Sequence, residues 1–149
     1  MAWKSRLLKP VARVVSNQIT KAANRPLAAQ TQIFQTIVTK AKDTAYGKDH
    51  KFAGVNTYNE FKQAVSIQDY EGLRPYVDRI RAGEKDVLWP GLPKYFAKTS
   101  GTTSGVKYIP ITEHSLPNHF TSARNALFHY YHQTGHGDYF DGKLIFLSG

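Results

Sequence analysis

The spacing of apolar residues predicts helices in the N-terminal part of the chain. Between residues 5 and 24 apolar side chains recur at helical intervals, and Pro10 fits such a helix only near its first turn. A second helical pattern begins at Leu27 and continues to Ala45. Gly47 lies just past it, where helices commonly stop because glycine adopts the left-handed conformation without strain. We therefore expect two long helices with a short break between them.

Two shorter helices are predicted from local signals. Thr57 and Glu60 have the spacing of a capping box, in which each side chain accepts a hydrogen bond from the other residue's backbone N–H, so a helix should begin there. A further short helix is predicted over residues 74–82, ending at Gly83. Trp89–Pro93 contains two prolines and a glycine, so it can form neither a helix nor a central strand. We expect this segment to be a turn.

From Lys94 onward the apolar pattern becomes that of β-strands. Lys94–Thr99 and Lys107–Ile111 are rich in Tyr, Phe and Ile, and a loop rich in glycine and hydroxyl groups joins them. Residues 115–133 predict an amphipathic helix, and Lys143–Leu147 predicts a buried strand. The apolar face predicted for the helix consists of Leu116, Phe120, Ala123, Leu127 and Tyr130.

The order of these elements predicts a mixed α/β fold. A mainly helical segment, 1–90, is followed by a strand–loop–strand–helix–strand segment, 91–149. A buried strand must pair with neighbouring strands, and the sequence provides few candidates for that role. We therefore expect residues 1–149 to be the N-terminal part of one larger domain, with the remainder of its own chain as its partner.

The positive charge is concentrated at one end of the chain. The formal net charge is +9, and eight of the 20 basic residues lie between Met1 and Lys42, a stretch without any acidic residue. This stretch is either the solvated face of a helical segment or, as an alternative function, an arm that binds nucleic acid or a membrane surface. The chain has no cysteine, which excludes disulfides, thiolate metal sites and a cysteine nucleophile. The lack of disulfides is compatible with a cytoplasmic location.

The loop between the two strands has the composition of an anion-binding turn. Glycines let successive N–H groups point into one concavity, hydroxyl groups add donors, and a lysine adds a positive charge. The spacing fits neither a Walker A motif nor a dinucleotide-binding turn. The alternative is a flexible turn without a ligand, since such residues are common in turns. The loop residues are Thr99, Ser100, Gly101, Thr102, Thr103, Ser104, Gly105, Val106 and Lys107.

Several segments resemble one enzyme family. The string from Thr99 to Gly105, followed by Lys107, resembles the phosphate-binding signature of the acyl-adenylate-forming superfamily. Its continuation is similar to that of one branch, the GH3 family of acyl acid–amino acid ligases. The likeness covers about residues 27–124 in consistent order. It includes the segments Thr44–His50, Tyr58–Phe61, Asp69–Tyr76, Gly83–Gly91 and Lys107–Thr112. The chain therefore resembles an N-terminal fragment of such a ligase, a partial piece of an adenylate-forming domain.

The resemblance implies a reaction and its cofactors, ATP and Mg²⁺. A carboxylate attacks the α-phosphorus of ATP, pyrophosphate leaves, and an amine attacks the acyl-adenylate to form an amide. Such a displacement mainly needs charge neutralisation and alignment. The implied partners are a small carboxylic acid and an amino acid or other amine, with neither nucleic acid nor membrane, and the fragment alone is expected to be inactive. By resemblance the phosphates are held by Thr99, Ser100, Gly101, Thr102, Thr103, Ser104, Gly105 and Lys107.

The helix after the loop carries a second implied contact. In several family members an arginine on this helix contacts the carboxylate of the acyl substrate, and Arg124 is at the matching place. Phe120 and Leu127 flank it at helical spacing, which suits an apolar pocket with one orienting charge. The alternative is a surface arginine on the polar side of the helix.

Histidines at the end of the same helix are a weaker candidate for a metal site. His129 and His132 are three residues apart, and His136 follows. Imidazoles at this spacing can share a metal ion, but no H-E-x-x-H pattern is present. A polar helix end with ordinary histidines is favoured, so the sequence assigns no metal ligand. It assigns no catalytic residue either.

Overall fold

The computed structural model describes residues 3–99 and 105–143, which form a mostly helical fold with a two-stranded antiparallel sheet. The predicted mixed α/β class is confirmed at this coarse level. Among the described residues, no helix combines the length and apolar character needed to cross a bilayer. The elements are α1 (Trp3–Ala23), α2 (Pro26–Ala41), α3 (Ala45–Asp49), a 3₁₀ turn (Phe52–Gly54), α4 (Tyr58–Ala64), α5 (Tyr70–Arg81), β1 (Tyr95–Thr99), β2 (Lys107–Ile111), α6 (Leu116–Thr134) and a second 3₁₀ turn (Asp138–Phe140).

The chain divides into two compact units. The first contains residues 1–26 and 117–149, and the second contains residues 27–116. The prediction that residues 1–149 form part of one larger domain stays a prediction. The strand predicted over Lys143–Leu147 falls almost entirely on residues 144–149, which lie outside the described residues.

In the first unit α1 packs against α6. The buried apolar side chains are Ala12 and Val15 on α1 and Phe128 and Tyr131 on α6. The Tyr131 hydroxyl donates a 2.8 Å hydrogen bond to the backbone carbonyl of Ser5, so the two helices are joined by a buried polar contact as well as by apolar packing.

Two details of these helices differ from the prediction. Pro10 lies well inside α1 rather than near its first turn, and the helix continues past it with Ser5 before it and Ala12 after it both buried. The bounds predicted for α6 are confirmed, but its buried face is that of Phe128 and Tyr131, whereas Phe120 is 73% exposed. The partner helix decides which stripe is buried.

In the second unit the predicted long helix is interrupted. The prediction of one helix from Leu27 through Ala45 is wrong, because α2 ends at Ala41 and Thr44 caps a new short helix, α3. Gly47 lies inside α3, where its N–H donates to the Thr44 hydroxyl at 3.0 Å. A Cβ at Gly47 would lie 2.0 Å from the carbonyl oxygen of Ala41. The glycine is therefore required by a close backbone approach and does not end a helix.

The next two helices begin directly after their N-terminal capping residues. The capping box is confirmed, with the Glu60 N–H donating to the Thr57 hydroxyl at 3.3 Å and the Thr57 N–H donating to the Glu60 carboxylate at 2.9 Å. α5 begins at Tyr70, four residues before the predicted start, because Asp69 caps it by accepting from two backbone N–H groups. Gly83, at φ +94°, follows its end as predicted.

The core of the second unit fixes the segment that leads to the sheet. Val38, Ala41 and Phe52 are buried together, and Trp89 packs against them. The backbone of this segment is tied to α3, since the N–H of Tyr46 donates to the carbonyl of Val87 at 2.9 Å. This tie determines where the chain enters the hairpin.

The hairpin predicted from the sequence is confirmed. β1 pairs with β2 in antiparallel register from Tyr95 opposite Ile111 to Thr99 opposite Lys107. At its open end Lys94 Nζ lies 2.7 Å from Glu113 Oε1. The side-chain hydrogen bond between them lowers the pKa of Glu113 and raises the pKa of Lys94. This exposed ion pair closes the base of the hairpin, opposite the end that carries the loop.

Candidate phosphate-binding hairpin

The two ends of the predicted phosphate loop are cross-strand partners. Thr99 and Lys107 face each other in the last pair of the ladder, so the loop leaves and re-enters the sheet at one place. Ser100–Ser104, the middle of the predicted site, lie outside the described residues. Gly105 adopts φ +77° with open space on the side where a Cβ would stand. A side chain would be strained in this conformation, so the return of the loop requires a glycine.

The strand that follows the loop is attached to α5 through one tyrosine. The Tyr70 hydroxyl accepts a 2.9 Å hydrogen bond from the N–H of Tyr108 and donates a longer one, 3.4 Å, to the carbonyl of the same residue. The backbone N–H and C=O of a strand residue point to the same edge, so these groups face away from β1. Tyr70 therefore satisfies the outer edge of β2 directly after Lys107.

Cations surround the two tyrosine rings at this junction. Lys107 Nζ lies 5.7 Å from the centroid of the Tyr70 ring, and the Arg74 guanidinium lies at the same distance from that ring. The Arg81 guanidinium lies 4.1 Å from the centroid of the Tyr108 ring. Cation–π contacts of this kind orient a positive charge without neutralising it.

A cavity of about 330 Å³ opens between α5 and the return of the loop. Its charged lining contains Arg74 and Arg81 and one acid, Asp78, which pairs with Arg81 at 3.1 Å. Arg74 is also paired, with Glu71 at 3.0 Å, and all these side chains are partly exposed. The full lining is Tyr70, Arg74, Asp78, Arg81, Gly105, Val106 and Tyr108. The described end of the loop therefore borders a basic and aromatic surface.

A larger cavity of about 670 Å³ in the same unit has a different character. Four basic and four acidic side chains line it, so their charges balance and give no preference for an anion. The charged lining consists of Lys40, Lys48, Arg79, Lys85, Asp43, Asp49, Glu84 and Asp86. The larger volume therefore does not make this cavity the better candidate. The charged residues that line each cavity favour the smaller one, beside the loop, as the place for an anion.

The predicted acyl-substrate residues lie on α6, in the first unit. Arg124 is exposed, and its Nε and Nη2 donate to the side-chain oxygen of Asn125 at 3.4 and 3.2 Å. Phe120 is exposed and Leu127 is partly buried. At positions i, i+4 and i+7 the three residues share one side of the helix. Tyr131, eleven positions after Phe120, continues the same side of the helix toward its C-terminal end, where it is buried against α1.

One histidine of α6 contacts α1. His129 Nδ1 lies 2.9 Å from the Ser16 hydroxyl, and this contact joins α6 to α1. Within residues 3–99 and 105–143 no group of three or more His, Cys, Asp or Glu side chains is arranged to hold a metal ion.

Sequence reasoning missed the contribution of α5 to this site. Tyr70, Arg74 and Arg81 recur at helical spacing and face the hairpin together, but the predicted helix began only at residue 74. The Asp69 cap was the signal that would have extended the helix to Tyr70. With that first turn included, the three residues fall on one side of a single helix.

The chain is similar to proteins of one family. Residues 15–148 match the GH3 family N-terminal domain. The chain is 30% identical over 100 residues to indole-3-acetic acid-amido synthetase GH3.2 of Arabidopsis thaliana, a match that covers 66% of this chain and 18% of the relative. It is 34% identical over 89 residues to indole-3-acetic acid-amido synthetase GH3.15 of the same plant, covering 58% and 15%.

A rice protein extends the comparison beyond one plant. The chain is 30% identical over 91 residues to the probable indole-3-acetic acid-amido synthetase GH3.2 of Oryza sativa subsp. japonica, a match that covers 60% of this chain and 15% of the relative. The matched residues thus span less than a fifth of the length of each of these relatives. With the family's N-terminal domain matched over residues 15–148, the chain belongs to the GH3 family.

Proposed function

We propose that this chain carries the phosphate-binding part of a longer ligase, which uses ATP to activate a carboxylic acid and joins it to an amino acid or other amine. The observation that carries the proposal is the hairpin: a loop of glycines and hydroxyl residues closed by the Thr99–Lys107 pair, in a chain of the GH3 family. Relatives of the chain are named amido synthetases, and such a name describes the joining of an acid to an amine.

The proposed reaction has two displacements. In the first, a carboxylate oxygen forms a bond to the α-phosphorus of ATP, and the bond from that phosphorus to the bridging oxygen breaks, releasing pyrophosphate. In the second, an amine nitrogen forms a bond to the acyl carbon, AMP leaves with the former carboxylate oxygen, and the amine loses a proton. Negative charge accumulates on the leaving pyrophosphate in the first step, so donors placed around it lower the barrier.

The loop provides those donors in the proposal. Backbone N–H groups and the hydroxyls of Thr99, Ser100, Thr102, Thr103 and Ser104 bind phosphate oxygens, Gly101 and Gly105 allow close approach, and Lys107 adds a positive charge. Mg²⁺ would be bound together with the nucleotide phosphates, because this ion usually keeps several waters and binds substrate phosphates rather than an all-protein cage.

The exposed stripe of α6 is proposed to meet the acid. An apolar acyl group would pack on Phe120 and Leu127, and the Arg124 guanidinium would pair with its carboxylate, a geometry that guanidinium groups favour. The alternative function of the basic N-terminal residues as a nucleic-acid or membrane arm is not supported by the comparisons with known proteins.

Nucleotide binding by the chain tests the proposal. We expect ATP and inorganic pyrophosphate to bind, measured by isothermal titration calorimetry with Mg²⁺, and AMP to bind much more weakly because it lacks the β- and γ-phosphates. Gly101→Val should weaken ATP binding by about tenfold or more, since a β-branched side chain obstructs the approach of backbone donors. Gly54→Val is the matched control, because Gly54 has open space around it and an ordinary φ.

Two results would remove the phosphate-loop assignment. One is AMP binding as tightly as ATP. The other is an unchanged ATP affinity in Gly101→Val while the control also binds normally. In the longer ligase, the same Gly101 variant should abolish acid-dependent exchange of labelled pyrophosphate into ATP.

A further inference from the structure

We propose that Tyr70 is a positioning residue for the phosphate loop, acting on it from α5 through Tyr108 and Lys107. The proposal rests on the proposed function, since that function gives Lys107 its phosphate. Tyr70 lies outside the loop motif, 29 positions before Thr99 in the sequence. Its role comes entirely from contacts across the second unit.

The hydroxyl of Tyr70 fixes the strand that follows the loop. A two-stranded hairpin is marginally stable by itself, so the position of its loop depends on what the sheet packs against. The Tyr70 hydroxyl forms hydrogen bonds with both the N–H and the C=O of Tyr108, the residue directly after Lys107. Removing the hydroxyl would leave two backbone groups at the edge of β2 without this partner, and β2 would be held less firmly on α5.

The ring of Tyr70 restrains the lysine itself. A lysine side chain has many rotamers, and holding one of them costs conformational entropy when a ligand binds. The ring, 5.7 Å from Lys107 Nζ, favours the rotamers that keep the ammonium beside the return of the loop. Part of the ordering cost is therefore met before the phosphate arrives, which is preorganisation in the usual sense.

The start of α5 holds Tyr70 in turn. Asp69 Oδ1 accepts from the N–H groups of Glu71 and Gly72 at 3.0 and 3.2 Å, which fixes the first turn of the helix with Tyr70 as its first residue. This connection runs from the helix cap through the tyrosine to β2 and to Lys107. The ligand class it serves is the oligophosphate end of a nucleotide.

The test compares two tyrosines of one helix. Tyr70→Phe removes the hydroxyl and keeps the ring, whereas Tyr70→Leu removes both. The matched control is Tyr76→Phe, which removes a hydroxyl that donates to Asp49 at 2.8 Å on a different part of the unit. We expect Tyr70→Phe to weaken inorganic pyrophosphate binding by about fivefold and Tyr70→Leu by about tenfold or more, with Tyr76→Phe close to the parent chain.

A double-mutant cycle separates positioning from a general structural effect. In a Lys107→Met background, the Tyr70→Phe and Tyr70→Leu variants should differ in pyrophosphate affinity by less than about twofold, because the ring then has no ammonium to restrain. A merely structural role would make the leucine variant as harmful in the Lys107→Met background as in the parent chain. Far-ultraviolet circular dichroism and the urea midpoint identify variants that have lost the fold, and Tyr70→Phe remains informative where the leucine variant unfolds.

The outcomes distinguish this inference from the function on which it rests. If the parent chain does not bind pyrophosphate, both are wrong. If the parent binds and Gly101→Val weakens binding, but both Tyr70 variants behave like Tyr76→Phe, the proposed function stands and the positioning role of Tyr70 is refuted. If the ring effect persists undiminished without Lys107, the role assigned to the ring is refuted.

Discussion

Replacing Val87 by alanine should destabilise the unit formed by residues 27–116. Val87 is 1% exposed, and it lies in the segment between α5 and β1, which is hydrogen-bonded to α3. Its carbonyl accepts the N–H of Tyr46, a backbone contact that alanine would keep. The substitution therefore removes two buried methyl groups and little else.

The expected magnitude follows from that loss. Two methyl groups transferred from a buried site contribute about 1.6 kcal/mol. A cavity of at most about 50 Å³ adds about 1 kcal/mol if the surroundings do not collapse into it. The free energy of unfolding should therefore fall by about 2–3 kcal/mol, with the lower end expected if neighbouring side chains relax.

Tryptophan fluorescence in urea measures this change in the correct unit. The chain has two tryptophans, and Trp89 packs against the core of the second unit, so a Trp3→Phe background leaves a fluorophore that reports on that unit. The control is Val106→Ala, the same substitution at a side chain that is 42% exposed. A loss below about 0.5 kcal/mol, or no difference from Val106→Ala at unchanged m-value, would refute the packing argument.

Three further predictions follow from individual contacts. Gly47→Ala should lower the free energy of unfolding by about 3 kcal/mol or more in the same urea assay. A Cβ at this position would lie 2.0 Å from the carbonyl oxygen of Ala41, so the backbone would have to move. A loss under about 1 kcal/mol would contradict this close approach. Under the proposed function, Arg124→Ala in the longer ligase should raise the acid concentration needed for pyrophosphate exchange by about tenfold with ATP affinity unchanged, whereas Arg13→Ala on α1 should change neither. Backbone N–H donors hold the pKa of Glu60 below its usual value, so the stability it gives is present above the ordinary glutamate pKa of about 4.3 and is lost as pH falls through the lower folded value. Glu60→Gln should reduce the change of the urea midpoint with pH over that acidic range. An unchanged pH dependence would exclude the contribution of Glu60 to stability.

Elements with local signals were predictable from the sequence. The Thr57–Glu60 capping box starts α4 because all of its hydrogen bonds form within one turn. The hairpin was predicted because β-forming residues on both sides of a glycine-rich loop favour pairing of neighbouring strands. Gly105, at the return of the loop, has a positive φ of +77°.

Other features depend on contacts that the spacing of apolar residues does not show, and these were not predictable from the sequence. A glycine just after an apolar run usually ends a helix, but Gly47 is needed because the backbone of Ala41 passes next to it. The buried stripe of α6 is that of Phe128 and Tyr131 because α1 lies there, and the periodicity of α6 alone fits more than one stripe. For α6 the deciding contact is with a helix outside the local pattern, whereas for Gly47 it is a close backbone approach that the spacing of apolar residues does not show.

The candidate site shows the same division between local and distant information. The proposed ligand chemistry follows from loop composition, because donors, glycines and a lysine are encoded next to one another. Loop composition does not determine where the turn is held, since a two-stranded sheet needs support from elsewhere. That support comes from Tyr70. Its hydroxyl forms hydrogen bonds with the backbone N–H and C=O of Tyr108, and its ring faces Lys107. Under the proposed function, a motif search restricted to the loop would identify the ligand chemistry and miss the residue proposed to position it. Transplanting the loop onto another hairpin without an equivalent of Tyr70 should then give weaker phosphate binding.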